Sequence, residues 1–131
     1  MATTTATLIL ATADLLSDSL ALNTSAVLYN NPDYTTGLQR LKVQATTVHA
    51  TATVLYTADD FAAGAYIYIK NTHATSTEYV WVYEDTNDRV LLKMAGGDWA
   101  FMPLKGDTTL KAYAPSGNNP TIEFMVIGTD Q

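Results

Sequence analysis

The chain has no cysteine among its 131 residues, which excludes disulfide bonds and thiolate metal sites. It is also poor in charge, since 15 % of its residues are Asp, Glu, Lys or Arg, against roughly 25 % in an average soluble domain. Its seven basic residues form no cluster and are outnumbered by thirteen acidic ones. A phosphate backbone requires a concentrated positive patch, so we expect no nucleic-acid partner.

Long apolar runs are missing as well. No stretch reaches the roughly 18 apolar residues that a membrane-spanning helix needs, so we expect no membrane partner. The first basic residue is Arg40, whereas a secretory signal carries positive charge ahead of its apolar run. The sequence therefore predicts a soluble protein that is made in the cytoplasm.

Residue patterns that support catalysis or metal binding are scarce. The two histidines, His49 and His73, lack the HxH or HxxxH spacing of metal ligands. The acidic run from Glu84 to Asp88 begins like a calcium loop, but Arg89 occupies the next ligand position and the expected glycine and glutamate do not follow. We predict a solvated hairpin turn at this run, no cofactor, no metal and no enzyme. An enzyme that uses His49 or His73 is the weakest alternative.

Strand signals, in contrast, extend over most of the chain. The segment Arg40-Leu41-Lys42-Val43-Gln44-Ala45 alternates polar and apolar residues with the period of a half-buried strand. Helical patterns are almost absent, apart from a helical turn predicted between Thr57 and Gly64. The predicted strands lie near Thr7 to Thr12, Ser19 to Asn23, Ala26 to Tyr29, Leu38 to Val48, Ala50 to Tyr56, Ala65 to Asn71, Glu78 to Glu84, Val90 to Ala95, Trp99 to Leu104, Thr108 to Ala114 and Thr121 to Ile127.

Many short strands without intervening helices predict an all-β, antiparallel β-sandwich, with a jelly roll or a small barrel as its variants. We find no linker and no repeat, so the sequence predicts one domain over residues 1–131. The Thr- and Ala-rich opening, Met1 to Ala6, is expected to be an extended arm that is mobile or exchanged with a neighbour. Gly96-Gly97 separates two apolar runs at the spacing of a two-residue hairpin.

Two predicted strands are apolar on both faces. Their small aliphatic residues alternate with large aromatic ones. The aliphatic residues are Ile67, Ile69, Val80 and Val82, and the aromatic ones are Tyr66, Tyr68, Tyr79, Trp81 and Tyr83. One core covers one face of a sheet, so the aromatic face needs a second layer, a ligand or another chain.

We assign these five aromatic residues to a protein interface, because Tyr and Trp supply large contact areas at low entropic cost. Two alternatives remain open: packing against a second sheet of the same chain, and a flat platform on which sugar rings stack. Trp99 and Phe101 are assigned to the core.

The second half of the chain resembles small β-sandwich structural proteins of tailed-bacteriophage virions. The resemblance covers about residues 64 to 128. It depends on the segments Tyr66 to Asn71, Gly96 to Leu104, Leu110 to Ala114 and Ile122 to Ile127. It implies a virion location and a capsid decoration or cement protein, or one of the tail or neck.

The implied partners are further copies of the chain in a homo-oligomer, together with a major capsid protein or another virion protein. The alternative function is a carbohydrate-binding module or a tail-associated receptor-binding protein.

Overall fold

The computed structural model describes residues 3–13, 20–29, 37–45, 52–57, 64–104, 108–115 and 119–128. These residues form two compact units, one within Met1–Asn30 and the other within Asn31–Gln131. The sequence predicted one domain with an arm of six residues. The separate unit in the structure is longer than that arm.

The first unit is a long antiparallel hairpin. Strand β1 runs over Thr3–Thr12 and strand β2 over Leu20–Tyr29. Ten residue pairs join them without a bulge, from Thr3 opposite Tyr29 to Thr12 opposite Leu20. The two short strands predicted within residues 19–29 are therefore one continuous strand. Threonine and β-branched residues favour this extended backbone.

The second unit is a β-sandwich of two four-stranded sheets. The strands of this unit are β3 (Gln39–Lys42), β4 (Thr53–Tyr56), β5 (Ala65–Asn71), β6 (Val80–Glu84), β7 (Arg89–Met94), β8 (Trp99–Leu104), β9 (Leu110–Tyr113) and β10 (Thr121–Gly128). The first sheet has the order β3-β10-β5-β8 and the second has the order β4-β9-β6-β7. All named strand pairs are antiparallel. This strand order is that of a jelly roll, one of the predicted variants.

The core of the sandwich lies between the inner faces of the two sheets. Ile67 and Ile69 of β5 are fully buried, as are Val80 and Val82 of β6. Leu110 of β9 belongs to the same cluster. The predicted aliphatic face is therefore confirmed as the inner face of each sheet. Burial of a large aliphatic side chain contributes roughly 1.5–3 kcal/mol, so these positions stabilise the contact between the sheets.

Consecutive strands of a jelly roll mostly belong to opposite sheets. Strand β7 pairs with β6, whereas β8 pairs with β5. Gly96 and Gly97 thus lie in a connection that crosses between the sheets, and the predicted two-residue hairpin at this point is wrong. The turn from Glu84 to Asp88 does join paired neighbours, β6 and β7, as predicted.

Asn71, the last residue of β5, lies where two connections cross between the sheets: residues 72–79 between β5 and β6, and residues 95–98 between β7 and β8. Its side chain is fully buried, and its Nδ2 donates to the carbonyl oxygens of Glu78 at 2.8 Å and Met94 at 3.1 Å. Its Oδ1 accepts a hydrogen bond from the backbone N–H of His73 at 3.1 Å. Its carbonyl oxygen accepts from the N–H of Gly97 at 2.8 Å. One amide therefore links β5 to both crossing connections with its hydrogen-bonding groups satisfied.

Gly96 is required where these connections meet. A Cβ at this position would lie 2.2 Å from the carbonyl oxygen of Thr75 and 2.6 Å from that of His73. Both neighbours are backbone atoms, which cannot rotate away. Gly97 follows with a φ of 93°, a conformation that favours glycine.

Several predictions concern residues outside the described ranges. They are the helical turn between Thr57 and Gly64, the position of His49 and the last part of the strand predicted over Leu38 to Val48. Among the described residues, no helix is long and apolar enough to cross a membrane.

Candidate functional site

The five predicted interface aromatics do not form one platform. Strand β5 belongs to the first sheet and β6 to the second. Because their aliphatic sides share one core, their aromatic sides point away from each other. Tyr66 and Tyr68 lie on the outer face of the first sheet, and Trp81 lies on the outer face of the second. The flat platform considered from the sequence is wrong for this reason.

The outer face of the first sheet carries a strip of aromatic side chains. The rings of Tyr66 and Phe101 stack with centroids 5.5 Å apart and planes 13° apart. Tyr68 lies opposite Phe101 on β8 and opposite Met125 on β10. Trp99, at the start of the edge strand β8, is 59 % exposed. The assignment of Trp99 and Phe101 to the core is wrong, because the alternation of β8 places Ala100 and Met102 against the core instead.

A polar cluster lies beside this strip. The Tyr68 hydroxyl donates to Glu123 Oε1 at 3.2 Å, and Arg40 Nη2 contacts Glu123 Oε2 at 2.9 Å. Burial of Tyr68 raises the pKa of its hydroxyl, and the hydrogen bond to the Glu123 carboxylate and its negative charge raise it further. Both carboxylate oxygens of Glu123 therefore have a partner, so this cluster has a structural role.

The outer face of the second sheet carries the other aromatic group. Trp81 and Tyr113 lie with ring centroids 6.0 Å apart, and Tyr83 meets Tyr113 edge to face at 5.5 Å. The Lys93 ammonium lies 4.4 Å from the ring centre of Tyr79, in cation–π geometry. Tyr83 is 1 % exposed, so its ring offers almost no area to a partner.

Two polar features accompany this group. Lys111 Nζ contacts Asp85 Oδ1 at 2.9 Å, and this bond raises the pKa of Lys111. Burial raises the pKa values of Tyr83 and Tyr113. The indole Nε1 of Trp81 is buried and has no hydrogen-bond acceptor among the described residues.

The third surface is the hairpin unit, of which the sequence analysis predicted the first six residues as an arm that is mobile or exchanged with a neighbour. Its two strands contain no charged residue, no proline and no glycine. Large apolar side chains are exposed along them: Leu8 (37 %), Ile9 (65 %), Leu10 (45 %), Leu22 (41 %) and Val27 (57 %). The sequence signal of this surface is a run of about thirty residues whose formal side-chain charges are confined to Asp14 and Asp18.

The register of the hairpin separates its two faces. Leu8 lies opposite Thr24 and Leu10 lies opposite Leu22, all on one face. Ile9 lies opposite Asn23 and Thr7 opposite Ser25 on the other face. We name the first the leucine face and the second the threonine face. The leucine face consists of Thr4, Ala6, Leu8, Leu10, Thr12, Leu22, Thr24, Ala26 and Leu28. The threonine face consists of Thr3, Thr5, Thr7, Ile9, Ala11, Ala21, Asn23, Ser25 and Val27.

His73 and the acidic turn, which the sequence offered as candidates for chemistry, make local hydrogen bonds in the structure. Three or more His, Cys, Asp or Glu side chains in metal-binding proximity are not found among those residues. His73 Nδ1 accepts a hydrogen bond from the backbone N–H of Thr75 at 3.1 Å, which is a loop-stabilising role. Asn87 Nδ2 donates to Glu84 Oε2 at 2.8 Å within the β6–β7 turn.

No family model, curated protein or solved structure matches this chain.

Proposed function

We propose that the chain is a structural protein of a tailed-phage virion, and that it acts as a capsid decoration protein through protein–protein contacts. The observation that carries the proposal is the hairpin unit, with twenty strand residues that bear no charge and expose large apolar side chains. A two-stranded hairpin is marginally stable in water by itself. An apolar hairpin of this length is therefore suited to a role in which another protein covers it.

The fold and the resemblance support the same role. Jelly rolls are the fold of many viral capsid domains and of many lectins. The segments that resemble virion proteins lie in strands β5 and β8 to β10 of the sandwich. Fold analogy alone does not choose between capsid contact and sugar binding. The hairpin favours protein contact, because the large side chains that it exposes are aliphatic, and exposed aliphatic area is typical of protein–protein contact surfaces.

The mechanism is mechanical. Each copy contributes modest interfaces, of roughly 1,000 Å² or more in total. Many such interfaces in a symmetric shell act together, so that their combined strength exceeds that of any single contact. In this proposal the sandwich is the body of the decoration, and the partly exposed aromatic strip on the outer face of the first sheet provides further contact area.

The test is the composition of virions. Phage particles purified from the source of this chain are analysed by quantitative mass spectrometry and imaged by cryo-electron microscopy. We expect the chain in a fixed ratio to the major capsid protein, and density on the shell that fits the eight-stranded sandwich. Absence of the chain from particles, or traces without a fixed ratio, would contradict the proposal.

A second candidate function is carbohydrate binding, and the exposure of Trp99 favours it. Its indole lies at the edge of the first sheet, on the same outer face as the stacked Tyr66 and Phe101. The test is a glycan array with the wild-type chain, a Trp99→Ala variant and a Leu91→Ala control that alters an exposed residue of the other sheet. Glycan binding that is lost only in Trp99→Ala supports this candidate, and no binding by the wild type removes it.

A further inference from the structure

We infer that the Trp99 end of the first sheet's outer face is a binding site for an acidic saccharide, a sugar that carries a carboxylate, sulfate or phosphate group. The inference rests on the second candidate function, carbohydrate binding, and names its ligand class. Trp99 supplies the surface on which the sugar ring stacks. Lys70 supplies the positive charge that pairs with the acidic group of the sugar.

Strand pairing places these two residues side by side, at the end of a row that crosses the sheet. Arg40 of β3 lies opposite Glu123 of β10. Glu123 lies opposite Lys70 of β5, which in turn lies opposite Trp99 of β8. Residues directly opposite each other share a face and have Cβ atoms about 5 Å apart. One sugar ring therefore spans the distance from the Trp99 indole to the Lys70 side chain.

Lys70 is the cation of this row whose charge is open to a ligand. Both carboxylate oxygens of Glu123 have partners, because the Tyr68 hydroxyl donates to one and Arg40 contacts the other. No ion pair or hydrogen bond joins the Lys70 ammonium to another described residue. The side chain of Lys70 is partly exposed. An anionic group beside Trp99 thus meets an ammonium group that can donate a charge-assisted hydrogen bond.

The charge of this face selects an anionic ligand. Of the seven basic residues of the chain, Arg40, Lys42 and Lys70 lie at outward-facing positions of the first sheet's strands. Of the thirteen acidic residues, Glu123 is the one at such a position. The whole chain carries a formal net charge of −6, so this face is positive on a molecule of the opposite sign. Anions are therefore attracted to this face more than to the rest of the surface.

The open aromatic area distinguishes a sugar from a nucleic acid. Trp99 is 59 % exposed, whereas the rings of Tyr66 and Phe101 stack on each other and are partly buried. Single-stranded nucleic acids bind through several aromatic side chains, on which successive bases stack. A sugar needs one such ring, because its polarised C–H groups are attracted to the negative face of an aromatic system. One open ring beside one open cation fits an acidic sugar.

The size of the face favours a small ligand over a protein. The edge strand β8 has six residues, which span about 20 Å, and four strands are about 19 Å wide. The face therefore measures roughly 400 Å² in projection, about half of the roughly 800 Å² that each partner contributes to a standard protein interface. One or two sugar rings fit within this area.

The first test is a glycan array that carries uronate, sialate, sulfate and phosphate glycans beside neutral ones, with the full chain as the probe. We expect binding to acidic glycans, which weakens as the salt concentration rises. Lys70→Gln is expected to weaken it about tenfold or more, because it removes a hydrogen bond from a charged donor. We expect a similar loss in Trp99→Ala, and Lys70→Arg, which keeps the charge, should retain most of the binding.

Two control variants alter exposed positions of the second sheet. Arg89→Gln removes one positive charge there, and Leu91→Ala removes apolar area. Both are expected to bind like the wild type. Circular dichroism and urea unfolding check that every variant keeps the fold. Equal losses in Arg89→Gln and Lys70→Gln would mean that net charge alone attracts the glycan, and this result would overturn the site.

The second test removes the acidic group from the ligand. The acidic glycan that binds best is compared by calorimetry with the same glycan after its carboxylate is reduced, or its sulfate or phosphate is hydrolysed. For the wild type we expect the neutral form to bind about tenfold more weakly or worse. For Lys70→Gln we expect the two forms to bind within about twofold of each other, because the coupled partner is gone. An undiminished difference in Lys70→Gln contradicts the pairing.

The outcomes separate this inference from the functions on which it depends. Binding of neutral glycans that requires Trp99 but not Lys70 keeps carbohydrate binding and overturns the acidic ligand. No binding to any glycan overturns both. Oligothymidylate that binds through Trp99 in place of glycans assigns the face to single-stranded nucleic acid. The virion role is tested separately by particle composition, and a chain that binds glycans through Trp99 leaves this edge of the sheet uncovered in particles.

Discussion

Replacement of Asn71 by alanine is expected to destabilise the sandwich more than replacement of any exposed polar residue. The Asn71 side chain is fully buried and makes three hydrogen bonds, to the carbonyl oxygens of Glu78 and Met94 and from the N–H of His73. Alanine removes all three at once. The strand and both crossing connections lose the amide that links them.

The expected loss in the free energy of unfolding depends on how deeply the three hydrogen-bond partners of Asn71 are buried. The carbonyl of Met94 is in the buried part of the network, and an orphaned buried acceptor costs about 1–3 kcal/mol. The Glu78 and His73 groups are partly buried, so water replaces part of what they lose, and about 0.5–1.5 kcal/mol each is expected. Together the loss is about 2–6 kcal/mol, a large fraction of the roughly 5–15 kcal/mol that stabilises an ordinary domain.

Asn71→Asp provides a sharper comparison. The carboxylate keeps an oxygen for the His73 N–H but directs its other oxygen at two carbonyl acceptors in a buried position. We therefore expect Asn71→Asp to be at least as destabilising as Asn71→Ala at neutral pH. A substitution that merely left a small cavity would give the reverse order.

The assay is urea unfolding followed by tryptophan fluorescence and circular dichroism. Asn87→Ala is the control, since Asn87 makes an exposed hydrogen bond to Glu84 and its loss is expected to cost within about 0.5 kcal/mol. An Asn71→Ala variant as stable as the Asn87→Ala variant would refute the reasoning, and so would an Asn71→Asp variant that is more stable than Asn71→Ala.

Two further predictions concern glycine and alkaline pH. Gly96→Ala forces a Cβ against two carbonyl oxygens and should lower stability by roughly 2 kcal/mol or more. Gly37→Ala, with open space around its Cβ, should be within about 0.5 kcal/mol of wild type in the same urea assay. Four groups have raised pKa values in the folded chain: Tyr68, Tyr83, Tyr113 and Lys111. The folded state therefore holds these protons at a pH where the unfolded state releases them, so the stability that these four groups contribute is fully present below about pH 9 and is lost progressively above about pH 10. Urea midpoints measured from pH 8 to 11 check this, and stability that rises over that range would contradict the pKa directions.

The sequence by itself determined the all-β class, the position of most strands and the inner faces of β5 and β6. The reason is physical: period-two alternation and turn residues act locally, and a burial pattern such as Ile67 and Ile69 between tyrosines specifies its own buried side. The turn from Glu84 to Asp88 was likewise predictable, because it joins strands that are neighbours in both chain and sheet.

Tertiary structure decided which strands share a sheet, and this changed the candidate site. Alternation fixes which face of a strand is apolar, but it does not say which other strand lies beside it. Consecutive strands β5 and β6 belong to opposite sheets, so the aromatic residues that the sequence assigned to one interface lie on opposite sides of the sandwich. For the same reason the Gly96-Gly97 turn crosses between sheets, and Trp99, large and apolar, is exposed at an edge. The leucine face of the hairpin likewise depends on strand pairing, because it is the register that places Leu10 of β1 opposite Leu22 of β2.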